Sequence, residues 1–187
     1  DRNSENDTWF MNGSFSKGLG HSKMVVGVEA NATFSSASSM RDDSVIPYRQ
    51  TSVGVKPYFK GSILKWLSAN YEAEYGFSRL GIDGSDNNYH TFHQNLFVTI
   101  IPSDPLQFTM GAEHFLTRFP EGNHAALVLL DVSAVWNLNN KIRLSVTANN
   151  LLNKRSYEYV TYGTLCRSEH RFSVRQRTVL ASIQYRF

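Results

Sequence analysis

Three histidines, His90, His93 and His114, are the first residues that could hold a metal or move a proton. A zinc site needs ligands converging on one point with tetrahedral spacing. On an extended chain His90 and His93 point to opposite faces, so the spacing argues against a shared ion. Ser133 and His114 have the residue types of a surface hydrolase, but nothing in their spacing sets a nucleophile beside a base. No nucleophile elbow, phosphate loop or zinc signature occurs. The expectation is a chain that is not an enzyme and carries neither metal nor cofactor. Its single thiol, Cys166, has no second cysteine to bridge to and reads as an inert loop thiol. The net charge of +3 is too small to argue for nucleic acid.

A second chemistry is charge pairing with phosphate. Arg175 and Arg177 sit ahead of the C-terminal alternation. If that strand continues through them, Arg177 lies roughly 25 Å from Phe187, at about 3.3 Å per residue and a tilt near 40°. Both would then reach the phosphates of lipopolysaccharide, or act as plain interface anchors.

These residues must be held by strands. Helical periodicity is nearly absent, and period-2 alternation recurs throughout. The pattern predicts nine strands, near 8–18, 23–37, 48–60, 66–79, 88–101, 105–118, 124–138, 141–162 and 170–187. Connections at 18–22, 61–65, 102–105 and 137–140 are short. Those at 38–47, 80–88, 119–124 and 161–170 are mostly longer and more polar. Outer-membrane barrels pair short periplasmic turns with longer extracellular loops. That parity would leave the C-terminus in the periplasm of a Gram-negative cell.

The alternation separates two chemistries. Val26, Val28, Ala30, Ala32 and Phe34 oppose Glu29 and Asn31. Leu67 to Phe77 alternate with Asn70, Glu72 and Glu74; Asn95 and Glu113 keep the same phase on later strands. Ile142, Leu144, Val146 and Ala148 oppose Arg143 and Asn149; Val179, Ala181, Ile183, Tyr185 and Phe187 oppose Ser182 and Gln184. The polar set is expected to face a lumen and to touch substrate or a plug. The chain contains 12 Phe, 9 Tyr and 3 Trp, enough to build two interfacial girdles. Trp66, Phe108, Trp136, Tyr185 and Phe187 would form one. Trp9, Tyr48, Tyr75, Phe77, Tyr89, Phe92, Phe115 and Tyr157 would form the other. A soluble sandwich would also alternate, but with shorter apolar sets. No run of about 18 apolar residues is present, and none is needed for strands. The fold class read here is all-β, an antiparallel transmembrane barrel.

The start, Asp1 to Asp7, has neither a basic nor an apolar signal region. Nine strands is an odd count, and closing them on themselves would pair two parallel edges. Bacterial single-chain barrels are even. The expectation is that residues 1–187 form one incomplete domain, the C-terminal part of a larger barrel, with the missing strands N-terminal to Asp1.

The segments VTANNLLNKRSYEY (146–159) and VRQRTVLASIQYRF (174–187) resemble the end of TonB-dependent outer-membrane transporters of the Bacteroidetes type, SusC-like or carboxypeptidase-regulatory-like. The residues that carry the resemblance are Asn150, Leu151, Asn153, Lys154 and Tyr157, followed by Arg175, Arg177, Leu180 and Phe187. The resemblance implies a 22-stranded barrel with an N-terminal plug. It implies uptake of a bulky nutrient (a glycan, peptide or metal chelate) driven by the TonB complex. It also implies outer-membrane lipid and lipopolysaccharide as surroundings and a SusD-like lipoprotein as a possible companion. Tyr185 and Phe187 look like the signal read by the barrel-assembly machinery. The alternative reading is a complete small outer-membrane barrel with a structural or adhesive role; an outer-membrane enzyme is the less favoured third.

Overall fold

The computed structural model describes residues 6–20, 23–41, 44–82, 84–120, 122, 124–162 and 167–187. Cys166 lies outside them. The described residues contain strands and no helix. The strands are β1 (Asp7–Gly18), β2 (Met24–Arg41), β3 (Ser44–Leu64), β4 (Leu67–Ile82), β5 (Ser85–Ser103), β6 (Leu106–Arg118), β7 (His124–Asn137), β8 (Ile142–Asn149), β9 (Ser156–Tyr162), β10 (Arg167–Ser173) and β11 (Thr178–Tyr185).

Nine of them form one sheet in the order β1-β2-β3-β4-β5-β6-β7-β8-β11, and every neighbour is antiparallel. The remaining pair, β9 and β10, makes a separate two-stranded hairpin. The expected number of staves is therefore present; β1 to β8 each bond their sequence neighbours, and β11 bonds β8. Within this sheet β1 and β11 are the two edges, and they run parallel to each other.

Tight connections mark one end of the sheet. Leu64 faces Leu67 across two residues, and Ser103 faces Leu106 likewise. At the other end two expected loops are strand instead. β2 and β3 pair up to Arg41 and Ser44, and β4 and β5 pair up to Ile82 and Ser85. Polar residues such as Ser38 and Asn87 lack apolar alternation, yet a growing antiparallel ladder satisfies their backbones one rung at a time. These two hairpins extend well beyond the apolar positions. The sheet thus has a turn end and a hairpin end.

The largest departure from expectation lies in the last third. The strand expected over 141–162 stops at Asn149, and the one expected over 170–187 begins in the sheet only at Thr178. Asn150 and Asn153 cause the break. Both take the left-handed conformation, with φ of 51° and 52°, which asparagine tolerates better than other non-glycine residues. The Asn150 side chain then bonds the strand ends that the ladder no longer holds. Its Nδ2 donates to the carbonyls of Lys154 (2.8 Å) and Arg175 (2.7 Å), and its Oδ1 accepts from the Lys154 N–H at 3.0 Å. Its own N–H donates to Asp131 Oδ1 at 2.7 Å. Asn153 Oδ1 accepts from the Arg177 N–H at 3.2 Å. Asn150 is 5% exposed and is buried by this clasp. Arg175 and Arg177 thus lie in the connection between β10 and β11, and the outward strand phase expected for them has no strand to carry it.

Replacing Asn150 separates two contributions. Asn150→Gly keeps the left-handed backbone and removes the side-chain bonds; Asn150→Ala removes both. Each buried group left unpaired costs about 1–3 kcal/mol, and alanine adds backbone strain of order 1 kcal/mol. Limited proteolysis of the folded protein should cut within 150–177 faster in both variants, and fastest in Asn150→Ala. Cleavage of both at the wild-type rate would show that the clasp does not hold the segment.

Candidate functional site: the polar face of the sheet

The register sorts side chains into two faces. One carries an apolar band across all nine staves. The consecutive pairs Phe15–Val28, Val28–Pro57, Tyr71–Leu96, Leu96–Ala112, Ala112–Leu130, Ala134–Val146 and Val146–Ala181 lie on it. Phe108, Trp136 and Tyr185 mark its turn end, and Phe187 packs edge-on against Tyr185 with ring centroids 5.2 Å apart.

The other face carries the expected polar set. One straight rung runs Tyr58–Glu72–Asn95–Glu113–Leu129, across β3 to β7. Glu29 pairs with Lys56, Asn31 with Gly54, Asn70 with Lys60 and Phe97, Glu74 with His93, Arg143 with Gln184, and Asn149 with Thr178. All the residues expected to share a polar face therefore share one. They do not form one cluster. Asn70, Glu72, Asn95, Glu113 and Asn149 border a hollow of about 610 Å³ spanning β3 to β8, together with Lys60 and Asp131. Arg143 belongs to a separate hollow at the turn end with Gln184 and Arg186.

Two lysines absent from the sequence reading complete the electrostatics. Lys56 Nζ lies 3.1 Å from Glu29, and Lys60 Nζ lies 2.6 Å from Glu72. Lys60 also sits 5.2 Å from the centre of the Tyr58 ring, a cation–π arrangement. Their signal was a shared even phase on β3, interrupted for the eye by Pro57. Asp131 had a plainer signal, one carboxylate inside the apolar run of β7, and here it caps Asn150. Hydroxyl pairs bridge further strands on this face: Thr8–Ser35, Ser52–Ser78, Thr109–Ser133 and Ser145–Ser182. Such cross-strand pairs bind neighbouring strands while leaving the face hydrophilic.

Close packing on this face requires glycine at one point. A Cβ on Gly27 would fall 2.4 Å from the Tyr58 ring and 2.8 Å from the Phe15 carbonyl oxygen. The ring therefore lies across the glycine.

Toward the hairpin end the polar face turns apolar. His93 stacks on Phe115 with centroids 4.2 Å apart and planes 11° from parallel. Tyr157 of the β9–β10 hairpin reaches Phe115 at 6.3 Å, and Leu127 and Phe119 are buried there. Four residues expected in the upper girdle are thereby reassigned. Tyr48, Tyr89 and Phe115 have the phase of the polar face, and Tyr157 lies off the main sheet against it. Alternation alone could not show this, because aromatic rings fit either face.

The imagined hydrolytic pair is also separated. His114 lies on the apolar face, bonded to Gln94, whereas Ser133 lies on the polar face beside Thr109. His90 and His93 fall on opposite faces as their spacing requires.

No protein-family model matches the chain, and no curated protein sequence matches it. Among solved structures, it is similar to OmpT (in-vitro folded), an outer membrane protein of Vibrio cholerae. The TM-score is 0.50 at 11% identity, over 95% of this chain and 55% of that one. The chain thus spans about half the length of the protein it matches. At this identity the likeness shows the fold alone: an all-β antiparallel sheet resembling the wall of an outer-membrane β-barrel.

Proposed function

We propose that this chain is part of the wall of an outer-membrane transport barrel, with the polar face lining the route of a bulky hydrophilic nutrient. The observation that carries this reading is the separation of chemistries between the two faces. One is apolar from edge to edge, as hydrocarbon demands. The other holds the ion pairs Lys56–Glu29 and Lys60–Glu72 around a broad hollow, as a wet lumen permits. On this reading the hairpin end faces outward and the turn end, with the C-terminus, faces the periplasm.

The wall is larger than nine staves. Edge residues are the most exposed apolar groups of the sheet: Trp9 at 73%, Phe10 at 71% and Ile183 at 77%. Each edge also offers a row of backbone N–H and C=O groups. In lipid these would cost on the order of tens of kcal/mol unpaired, at several kcal/mol per group. Further strands covering both edges remove that cost. The TonB-dependent type, with its plug, TonB complex and SusD-like companion, is supported by the resemblance around Asn150, Asn153, Lys154 and Phe187. The nutrient classes that follow from it are a glycan, a peptide or a metal chelate.

Two measurements test the reading. Phe15→Cys on β1 and Ile183→Cys on β11, with Cys166→Ser, should give no disulfide in the outer membranes of cells carrying the complete protein. Efficient cross-linking within one molecule would mean that the nine staves close on themselves. Cells lacking the gene should lose at least tenfold in uptake of a fluorescent oligosaccharide, peptide or metal chelate, and collapsing the proton-motive force in parental cells should do the same. Parental uptake of all three in the deletion strain would refute transport.

A further inference from the structure

The apolar face carries a row of basic residues at its hairpin end. His90 on β5 pairs with Arg118 on β6, and Arg118 pairs with His124 on β7. All three have the phase of the apolar face, directly beyond Phe92, Leu116 and Ala126. Cations on a lipid-facing surface are tolerated where they reach the interface. The height fits. From Phe108 to Arg118, at about 3.3 Å per residue and a tilt near 40°, the rise is roughly 25 Å, the height of the apolar band.

The row is held in place. Tyr75 Oη lies 2.7 Å from His90 Nδ1, and the Phe77 ring lies 5.2 Å from the His90 ring. With the phenol donating to Nδ1, the ring proton sits on Nε2 and leaves a second donor. Tyr75, His90, Phe92, Leu116 and Arg118 border a surface hollow of about 410 Å³. The neighbouring guanidinium, Arg79, is already engaged by Asp86. Arg118 has no ion pair among the described residues.

We infer that this hollow binds a phosphate group of an outer-leaflet lipid, such as phosphorylated lipid A. Arg118 supplies the forked donors, His90 and His124 flank it, and the acyl chains descend over Phe92 and Leu116. A planar guanidinium takes phosphate in two parallel charge-assisted bonds. Anionic headgroups are drawn to juxtamembrane basic residues, and a hollow open to the apolar face admits the chains below. A free phosphate ion would satisfy Arg118 and the histidine donors and leave the apolar part of the hollow unused. The inference rests on the apolar face meeting lipid and is independent of what crosses the lumen.

Native mass spectrometry of the complete protein in detergent, mixed with bisphosphorylated lipid A, should show a one-to-one adduct. The variant carrying His90→Gln, Arg118→Gln and His124→Gln should lose at least tenfold of it, and Arg118→Lys should retain most. Heat-modifiable gel mobility establishes that each variant is folded. If the triple variant fails that check, Arg118→Gln alone should show at least a threefold loss. Lipid A stripped of both phosphates should bind weakly to every variant. An undiminished adduct in a folded variant, or equal binding of the stripped lipid, overturns the inference. So does displacement by millimolar inorganic phosphate, which would mark a free-anion site. Nutrient uptake by cells carrying the folded variants should match that of cells carrying the unaltered protein, so loss of lipid binding and loss of transport are read separately.

Discussion

A backbone N–H or C=O group facing hydrocarbon has no water to bond, and leaving it unpaired costs several kcal/mol. On the proposed membrane reading the sheet is built around that requirement. Each stave from β1 to β8 bonds its neighbour in sequence, and β11 closes on β8 after the intervening hairpin. Consecutive antiparallel pairing fixes register, and register fixes phase. A slip of one residue would turn Glu72, Asn95 and Glu113 toward the apolar side and Tyr71, Leu96 and Ala112 toward the ion pairs. The ladder and the division of chemistry between the faces are therefore one constraint, seen in rungs such as Val28–Pro57 and Val146–Ala181.

The same requirement explains the break near the C-terminus. Where β8 and β11 leave the ladder, their backbone groups need other partners. Asn150 supplies them, because an amide side chain carries both donors and an acceptor in the geometry of a peptide. With Asn153 it closes the ends of the gap and lets β9 and β10 leave the plane of the wall. The hairpin's Tyr157 then meets Phe115, which is stacked on His93. Apolar burial appears on this polar face under that second layer, at Leu127 and Phe119, and again along the long hairpins at Ala37 and Leu80. The segment that carries the family resemblance has a visible physical task here.

The alternation of Leu67 to Phe77 with Asn70, Glu72 and Glu74 was enough to read β4 and its two faces, because a strand writes its period directly into residue types. The short connections expected at 61–65 and 102–105 exist but are tighter than expected, because pairing continues to Leu64–Leu67 and Ser103–Leu106. Three features were not legible. The hairpins reaching Arg41–Ser44 and Ile82–Ser85 are held by backbone bonds that polar residues make as well as apolar ones. The break at Asn150 falls inside a stretch whose alternation continues on both sides, and only its φ of 51° distinguishes it. Lys56 and Lys60 entered the site through cross-strand partners, which a single strand's pattern cannot name.

The polar groups on the apolar face follow a rule of depth. Tyr71 donates to Gln94 at 2.8 Å, and Gln94 lies 3.1 Å from His114, making a hydrogen-bonded row across β4, β5 and β6. This row lies within the apolar band, between the Phe108 and Leu116 levels of β6. On the lipid-facing reading proposed above, water is absent there, so the groups bond one another, and satisfied polar groups cost far less than orphans. Arg118 lies two pairs beyond His114 toward the hairpin end, past Leu116, and among the described residues it has no carboxylate partner. A charge left open within hydrocarbon would be prohibitive, whereas one at the margin can meet headgroups. On that reading the two rows are one sheet's answers to two solvents: polar groups closed on themselves within the band, and an open guanidinium flanked by histidines at its margin.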